Sequence, residues 1–144
     1  AKVFEDAYDL VRMHWEELAV NKDKVPMNPN VEQYENLMRD NILHNIVVYY
    51  ENKIIGYSFI IVSPALHYQT TMYAHVDVVY VHPDFRGKDG VGMDLLMRTD
   101  ELAKKLGAKV IMHHAKPHMP QIIKPLEYLG YSLYEHIYGK YVGE

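Results

Sequence analysis

The sequence of 144 residues contains no cysteine, which excludes a disulfide framework and a thiolate nucleophile and is compatible with a reducing compartment. No apolar run approaches the roughly 20 residues that are needed to span a bilayer. The first ten residues, AKVFEDAYDL, also lack the apolar segment of a secretory signal. We therefore predict a cytoplasmic protein with no membrane partner.

An excess of positive charge is missing as well. The 15 Lys and Arg residues are outnumbered by 19 Asp and Glu, which gives a net charge of −4 with histidine neutral. A nucleic-acid-binding protein usually presents a basic face, so no nucleic-acid partner is predicted. The length suits one domain over residues 1–144 with one hydrophobic core.

Hydrophobic periodicity predicts an α/β domain. Two amphipathic helices come first, the second beginning after Asn30 as its N-cap. A β-hairpin and a third strand follow, and then a strand–helix–strand crossover of the kind that joins parallel strands. The helices are expected at residues 4–20, 31–42, 90–106 and 119–129. The strands are expected at residues 45–50, 53–62, 72–81, 108–114 and, as one or two strands, 131–142. Residues 21–30 and 63–70 are predicted loops.

A glycine-rich turn lies between the third strand and the third helix, in the stretch VHPDFRGKDGVGMDLL. A helix N-terminus presents unpaired N–H groups and partial positive charge, and glycine allows a ligand to approach the backbone closely. Arg86 and Lys88 add full charges. These features favour a bound diphosphate, although a tight turn with no ligand explains the glycines too.

Two common nucleotide motifs do not fit this turn. The ATP-binding loop requires Ser or Thr after Gly87-Lys88, but Asp89 follows, and His82 stands where its first glycine is needed. The dinucleotide fingerprint requires a third glycine where Leu95 stands.

A different motif does match. A strand ending in Val-x-Pro, then an aromatic residue, Arg-Gly-Lys and Gly-x-Gly before an amphipathic helix resembles the acetyl-CoA-binding motif of the GCN5-related N-acetyltransferase (GNAT) family. The resemblance extends to PLEYLGY near the end of the chain. It implies a mixed, mostly antiparallel sheet that is splayed between its fourth and fifth strands and flanked by about four helices. By that count, residues 73–81 are the fourth strand, residues 109–114 the fifth, and residues 2–4 the first.

The resemblance also implies that acetyl-CoA or CoA binds here. The backbone of residues 79–81 is then expected to pair with the pantetheine arm, and the Val79 N–H to be the oxyanion donor. Asp89 is an extra residue relative to the family motif, and we expect it to face solvent rather than to cap the helix. The residues predicted to bind the cofactor are Val79, Tyr80, Val81, Arg86, Gly87, Lys88, Asp89, Gly90, Val91, Gly92 and Met93.

Two ionisable residues on the third strand are candidates for the general base. Strand alternation predicts that His75, Asp77 and Val79 share one face. The family often places its base at positions matching the first two, and an imidazole, with an ordinary pKa near 6.5, suits that role better than a carboxylate. The alternatives are a structural hydrogen-bonded pair or two groups that face solvent at the end of the sheet.

The acid that protonates the leaving thiolate is less clear from the sequence. Many relatives carry a tyrosine four residues before the glycine that matches Gly130, and Leu126 stands there. The alternatives are water and Tyr128, which would require a shifted helix. The run HHAKPH lacks a metal-ligand pattern, so no metal is predicted.

The predicted function is transfer of an acetyl group from acetyl-CoA to a primary amine by direct attack, without a covalent enzyme intermediate. The acceptor, a small-molecule or protein amine, is expected against the first two helices and the loops at 21–30 and 63–70. A homodimer is possible. The alternatives are a catalytically inactive CoA-binding or regulatory domain and a phosphate-binding interaction module unrelated to CoA.

Overall fold

The computed structural model describes residues 5–143, so the predicted first strand at residues 2–4 lies outside the described residues. The described residues form four α-helices and four strands. They are α1 (Tyr8–Leu18), α2 (Val31–Arg39), β1 (Leu43–Tyr50), β2 (Lys53–Ala65), β3 (Tyr68–Val81), α3 (Val91–Lys105), β4 (Val110–His113) and α4 (Ile123–Tyr128). Short 3-10 turns occupy Pro83–Phe85 and Pro120–Ile122.

The strands form one sheet in the order β1-β2-β3-β4. The first two pairings are antiparallel, and β3 pairs with β4 in parallel. Because α3 lies between β3 and β4 in the chain, it forms the crossover connection that a parallel pair requires. The predicted mixed, mostly antiparallel sheet with flanking helices is confirmed.

The sheet opens between β3 and β4. Their pairing runs only from Tyr73 opposite Val110 to Val76 opposite His113, while β3 continues to Val81. Within residues 5–143, no strand covers this edge of β3 beyond Val76. These two strands match the fourth and fifth of the family count, so the predicted splay is confirmed.

A β-bulge interrupts β3 at Asp77. Phe59 of β2 lies opposite Val78, and the next residue, Ile60, lies opposite Val76, so Asp77 has no partner in β2. The extra residue reverses the alternation of faces along β3. The prediction that His75 and Val79 share a face is therefore wrong.

Each face of the sheet carries its own apolar cluster. The face under α1 and α2 is built from Ala7, Leu10, Leu43, Ile54, Tyr57, Phe59 and Tyr80. The face under α3 is built from Ile60, Val62, Ala74, Val76, Ala103 and Ala108. Thr99 of α3 is fully buried on the second face, where it donates to the Leu95 carbonyl at 2.7 Å and accepts from Ser58 at 2.9 Å.

Helix and turn signals in the sequence explain most element boundaries. The Asn30 side chain accepts from the Gln33 N–H at 3.0 Å and so caps α2 as predicted. Gly107, with φ +93°, ends α3 in the left-handed conformation that glycine adopts without strain.

Two predicted segments differ from the structure. Residues 63–70 are not a loop, because β2 runs to Ala65 and β3 begins at Tyr68, which leaves a tight turn at Leu66 and His67. Residues 131–143 form no strand, although their composition favours one. Strand propensity depends on pairing and packing partners, and this segment pairs with neither edge of the sheet.

Candidate active site

Arg86–Gly92, hereafter the anion loop, joins the end of β3 to α3. Three of its residues have positive φ: Gly87 at +70°, Asp89 at +51° and Gly90 at +67°. Glycine adopts this region readily, and aspartate is among the few other residues that tolerate it. Gly90 is the N-cap of α3, and no side chain caps the helix.

The unpaired N–H groups of the anion loop face no competing acceptor. Within residues 5–143, the amides of Gly87, Lys88, Gly90 and Gly92 bond to no other group, whereas Val91 donates to the Lys88 carbonyl at 3.3 Å. The prediction that the Val91 N–H faces a ligand is therefore wrong. The remaining amides and the helix dipole suit an anion.

Two charged residues of the anion loop, Lys88 and Asp89, are exposed. Lys88 forms no ion pair within the described residues and is available to an anion. Asp89 is also exposed, and its side chain makes no bond to the helix N-terminus, so it faces solvent as predicted.

Gly92 has no structural reason to be glycine. It lies in α3, its φ is not in the left-handed region, and a Cβ placed on it meets no atom within 4 Å. Glycine inside a helix costs roughly 0.5–1 kcal/mol relative to alanine. A ligand that lies against this backbone explains the residue, because a Cβ would occupy the same space. The site therefore fits a diphosphate-bearing molecule.

The Arg86 side chain does not extend toward the open side of the anion loop. It forms a bidentate ion pair with Glu17 of α1, with Nη1–Oε1 and Nη2–Oε2 distances of 2.6 and 2.8 Å, and its Nε donates to the Val81 carbonyl at 2.8 Å. The structure therefore does not support the expectation that the Arg86 guanidinium binds the diphosphate. The ion pair lowers the pKa of Glu17 and raises that of Arg86.

A layered polar cluster supports this ion pair. The guanidinium of Arg86 lies 5.0 Å above the ring of Tyr80, and the Tyr80 hydroxyl donates to Glu17 at 2.7 Å. His14 stacks on the same ring at 4.6 Å, and its Nδ1 bonds to the Tyr57 hydroxyl at 2.8 Å. Burial lowers the pKa of His14 to about 4, with a further lowering from Lys116. Thus His14 is a hydrogen-bonded core residue.

Glu17 is not among the residues that the sequence patterns single out. A signal was present, because Glu17 lies three residues after His14 and seven after Leu10, which places it on the buried stripe of α1.

The open edge of β3 presents the backbone of two residues. The His82 N–H donates to Ile55 of β2 at 2.7 Å, and backbone groups alternate between edges along a strand. Val79 and Val81 therefore direct their N–H and C=O groups to the edge that β4 leaves uncovered. The backbone of Tyr80 faces β2 instead, so the predicted pantetheine contact through this residue is wrong. The Val81 carbonyl already accepts from Arg86.

The two candidate bases lie on the face of the sheet that α1 and α2 cover, opposite to α3. His75 is paired with Ile61, which packs on the cluster under α1 and α2. Asp77 is exposed, and its charge helps burial to raise the pKa of Tyr34 in α2. Within the part of the chain that is described, no hydrogen bond or ion pair joins His75 to Asp77.

Aromatic rings flank His75. Tyr73 lies 6.3 Å from it, and His114, which follows the last residue of β4, lies 5.9 Å from it across the point where the sheet opens. By contrast, Tyr128 at the end of α4 is 82% exposed, and Leu126 is buried. Within residues 5–143, the Tyr128 hydroxyl has no hydrogen-bond partner, so its role as the acid stays a prediction. Met93 is half-buried in the first turn of α3.

A second polar group lies on the α3 side of the opening. The His113 side chain is 3% exposed, its Nε2 bonds to no atom of residues 5–143, and it lies 4.0 Å from Oδ1 of Asp100. Tyr131 donates to the same carboxylate at 2.5 Å. Burial and the neighbouring His114 lower the pKa of His113 to about 4. No group of three or more potential metal ligands is found among the described residues.

An open strand edge thus lies beside a glycine loop and a helix N-terminus, an arrangement that suits an anionic ligand with an extended arm. The model of the Acetyltransferase (GNAT) family matches residues 7–124. The chain belongs to this family of acyl-CoA-dependent acetyltransferases. Comparison with curated proteins finds no match. No helix within residues 5–143 is long and apolar enough to cross a membrane.

Solved structures share the fold at low sequence identity. A transcriptional regulator from Bacillus halodurans C-125 is 22% identical, with a TM-score of 0.77, over 96% of this chain and 94% of that one. A ribosomal-protein-alanine N-acetyltransferase from Brucella melitensis biovar Abortus 2308 is 16% identical, with a TM-score of 0.70 and coverages of 96% and 92%. The aminoglycoside N-acetyltransferase AAC(6')-Iy in complex with CoA is 13% identical, with a TM-score of 0.70 and coverages of 99% and 96%. At these identities the likeness shows the fold alone.

Proposed function

We propose that this protein transfers an acetyl group from acetyl-CoA to a primary amine by direct attack. The observation that supports this most is the uncovered edge of β3 at Val79 and Val81, which ends in the anion loop. Acetyl-CoA supplies the reactive thioester. The amides of Gly87, Lys88, Gly90 and Gly92 and the Lys88 ammonium bind its diphosphate.

The Val79 N–H stabilises the negative charge that develops on the thioester oxygen. A backbone donor held by a β-strand is already oriented, and removing one such donor elsewhere costs roughly a hundredfold or more in rate. Val81 offers its N–H for pairing with the amide-bearing arm.

The acceptor enters from the α1 and α2 side, where His75 and Asp77 lie. Either residue, directly or through water, removes a proton from the amine before attack. The rings of Tyr73 and His114 border the same place and provide surfaces that contact the acceptor. The departing thiolate takes its proton from water, which reaches a site where Leu126 stands in place of the usual tyrosine.

Two of the similar structures suggest which amines to test. One is an aminoglycoside N-acetyltransferase and the other a ribosomal-protein-alanine N-acetyltransferase. We expect thiol release from acetyl-CoA to depend on an amine in a panel that contains both types, a free amino acid and a lysine peptide. His75→Ala or Asp77→Ala should abolish the limb of the pH–rate profile that reports the base. Amine-independent release with every acceptor would contradict the proposal.

A second function is a domain that binds CoA as a regulatory ligand without turnover. Leu126 at the tyrosine position and the exposed Tyr128 favour it, and one similar structure is named a transcriptional regulator. It predicts tight CoA binding with no thiol release for any amine. A third possibility, a phosphate-binding interaction module, predicts that simple nucleotides bind as well as CoA does, which calorimetry would measure.

The amine partner, the absence of nucleic-acid and membrane partners, the single domain, the homodimer and the cytoplasmic location stay predictions.

A further inference from the structure

The ion pair between Glu17 and Arg86 joins α1 to the first residue of the anion loop. Both carboxylate oxygens of Glu17 accept from the guanidinium, and the remaining donor nitrogen, Nε, holds the Val81 carbonyl. The two side chains are only 31% and 25% exposed, so water screens the pair incompletely. The position of Arg86 is therefore fixed by three separate bonds.

The rest of the anion loop is weakly tied to the protein. Within residues 5–143, its other side chains form no hydrogen bond. Its backbone carbonyls accept from the Val91 N–H at Lys88, at 3.3 Å, and from the Asp94 N–H at Gly90, at 2.9 Å, where α3 begins. Three positive φ values make this conformation one of several that the glycines permit. Before α3 begins, the Arg86 side chain is thus the main attachment of the loop besides its covalent ends.

We propose that Glu17 is a positioning residue for the acyl donor: its carboxylate holds Arg86, and through it the N–H groups of the anion loop, in the arrangement that a diphosphate requires. This inference depends on the proposed function for its ligand. The simpler alternative is that Arg86 contacts the diphosphate directly, and that Glu17 competes with the diphosphate for the guanidinium.

The two roles predict opposite changes in acetyl-CoA affinity when Glu17 is substituted. In Glu17→Gln the loop loses its charged anchor, and we expect the Kd for acetyl-CoA to rise roughly tenfold by calorimetry. The KM for acetyl-CoA should rise in parallel, while kcat at saturating acetyl-CoA stays within about twofold. If Arg86 served the diphosphate directly, the same substitution would free the guanidinium and tighten binding, which would overturn the proposal.

Glu16→Gln is the matched control. Glu16 is the preceding residue of α1, and it is exposed and paired with Arg12 of the same helix at 3.4 Å. Its substitution removes the same charge without touching the loop, and affinity should not change.

Arg86→Lys provides a second variant. Lysine keeps the charge but cannot bind two carboxylate oxygens and the Val81 carbonyl together. We expect it to weaken acetyl-CoA binding as Glu17→Gln does, and the double variant to bind no more weakly than either single one. Wild-type affinity in Arg86→Lys would overturn the proposal, because charge alone would then suffice.

Hydrogen exchange tests the anchor without any ligand. The hydrogen-bonded amides of the loop, those of Arg86 and Val91, should exchange faster in Glu17→Gln than in the wild type, while those of β2 stay equally protected. Equal loop exchange in the two proteins would refute the role of Glu17. Failure of the wild type to bind acetyl-CoA would refute the proposed function instead, and the exchange result would still decide on Glu17.

Discussion

Gly92→Ala should make the protein more stable and a poorer binder of acetyl-CoA. The added Cβ meets no protein atom within 4 Å, and the residue has an ordinary helical φ. Alanine loses less conformational entropy on folding than glycine, so the free energy of unfolding should rise by roughly 0.4–1 kcal/mol. For a chain of this size, each kcal/mol corresponds to about 2–4 °C in Tm.

The same Cβ occupies space next to the N–H groups at the start of α3. A diphosphate bound to these groups must then move outward, and a loss of about 1.4 kcal/mol in binding corresponds to tenfold in Kd. We expect at least about that loss. Differential scanning fluorimetry gives the stability of the free protein, and calorimetry with acetyl-CoA gives the affinity.

Gly107→Ala is a control variant whose expected changes in stability and affinity are the opposite of those of Gly92→Ala. Gly107 ends α3 with φ +93°, a conformation that costs an alanine roughly 1 kcal/mol or more. This variant should lose stability and keep its acetyl-CoA affinity. If Gly92→Ala folds and binds acetyl-CoA as tightly as the wild type, the diphosphate does not lie against this turn, and the assignment of the site is wrong.

Two further predictions concern stability. Because burial lowers the pKa of His113 from 6.5 to about 4, folding opposes its protonation, and stability is lost as pH falls from 6.5 to 4. The shift corresponds to about 3 kcal/mol. Urea unfolding of His113→Leu should therefore show an acid loss smaller by up to that amount, and an identical loss would contradict the burial argument. Thr99→Val should cost about 1–3 kcal/mol in urea unfolding, because Ser58 loses its acceptor. The double variant with Ser58→Ala should recover most of that cost, and a fully additive loss would show that the hydroxyl pair is not the cause.

Local signals were enough to predict most of the fold. Asn30 as an N-cap, the polar turn between β1 and β2 and Gly107 after α3 each act within a few residues, and the structure has all three. The crossover order predicted a parallel pair of strands. Residues 131–143 were different, since a strand needs an edge to pair with and the sequence does not state whether one is available.

The candidate site was predictable where backbone chemistry decides it. The glycines of the anion loop and the strand before it are visible as a motif, and Asp89 faces solvent as expected. The partner of Arg86 was not predictable, because Glu17 lies 69 residues away and only the folded arrangement of α1 brings it close. The prediction that His75 and Val79 share a face failed because Asp77 forms a β-bulge, which the alternation of residues in the sequence does not reveal.

That unpaired residue also decides which way the main chain points. The Met72 carbonyl accepts from the Lys109 N–H, next to β4. Before Asp77 the even-numbered residues of β3 therefore direct their backbone groups to β4, and after Asp77 the odd-numbered residues direct theirs to the opening. Without the bulge, with Asp77 regularly paired opposite Phe59, the alternation along β3 would turn the Val79 amide toward β2. The protein would keep its glycines and His75, and would lose the N–H group that is proposed to stabilise the charged thioester oxygen.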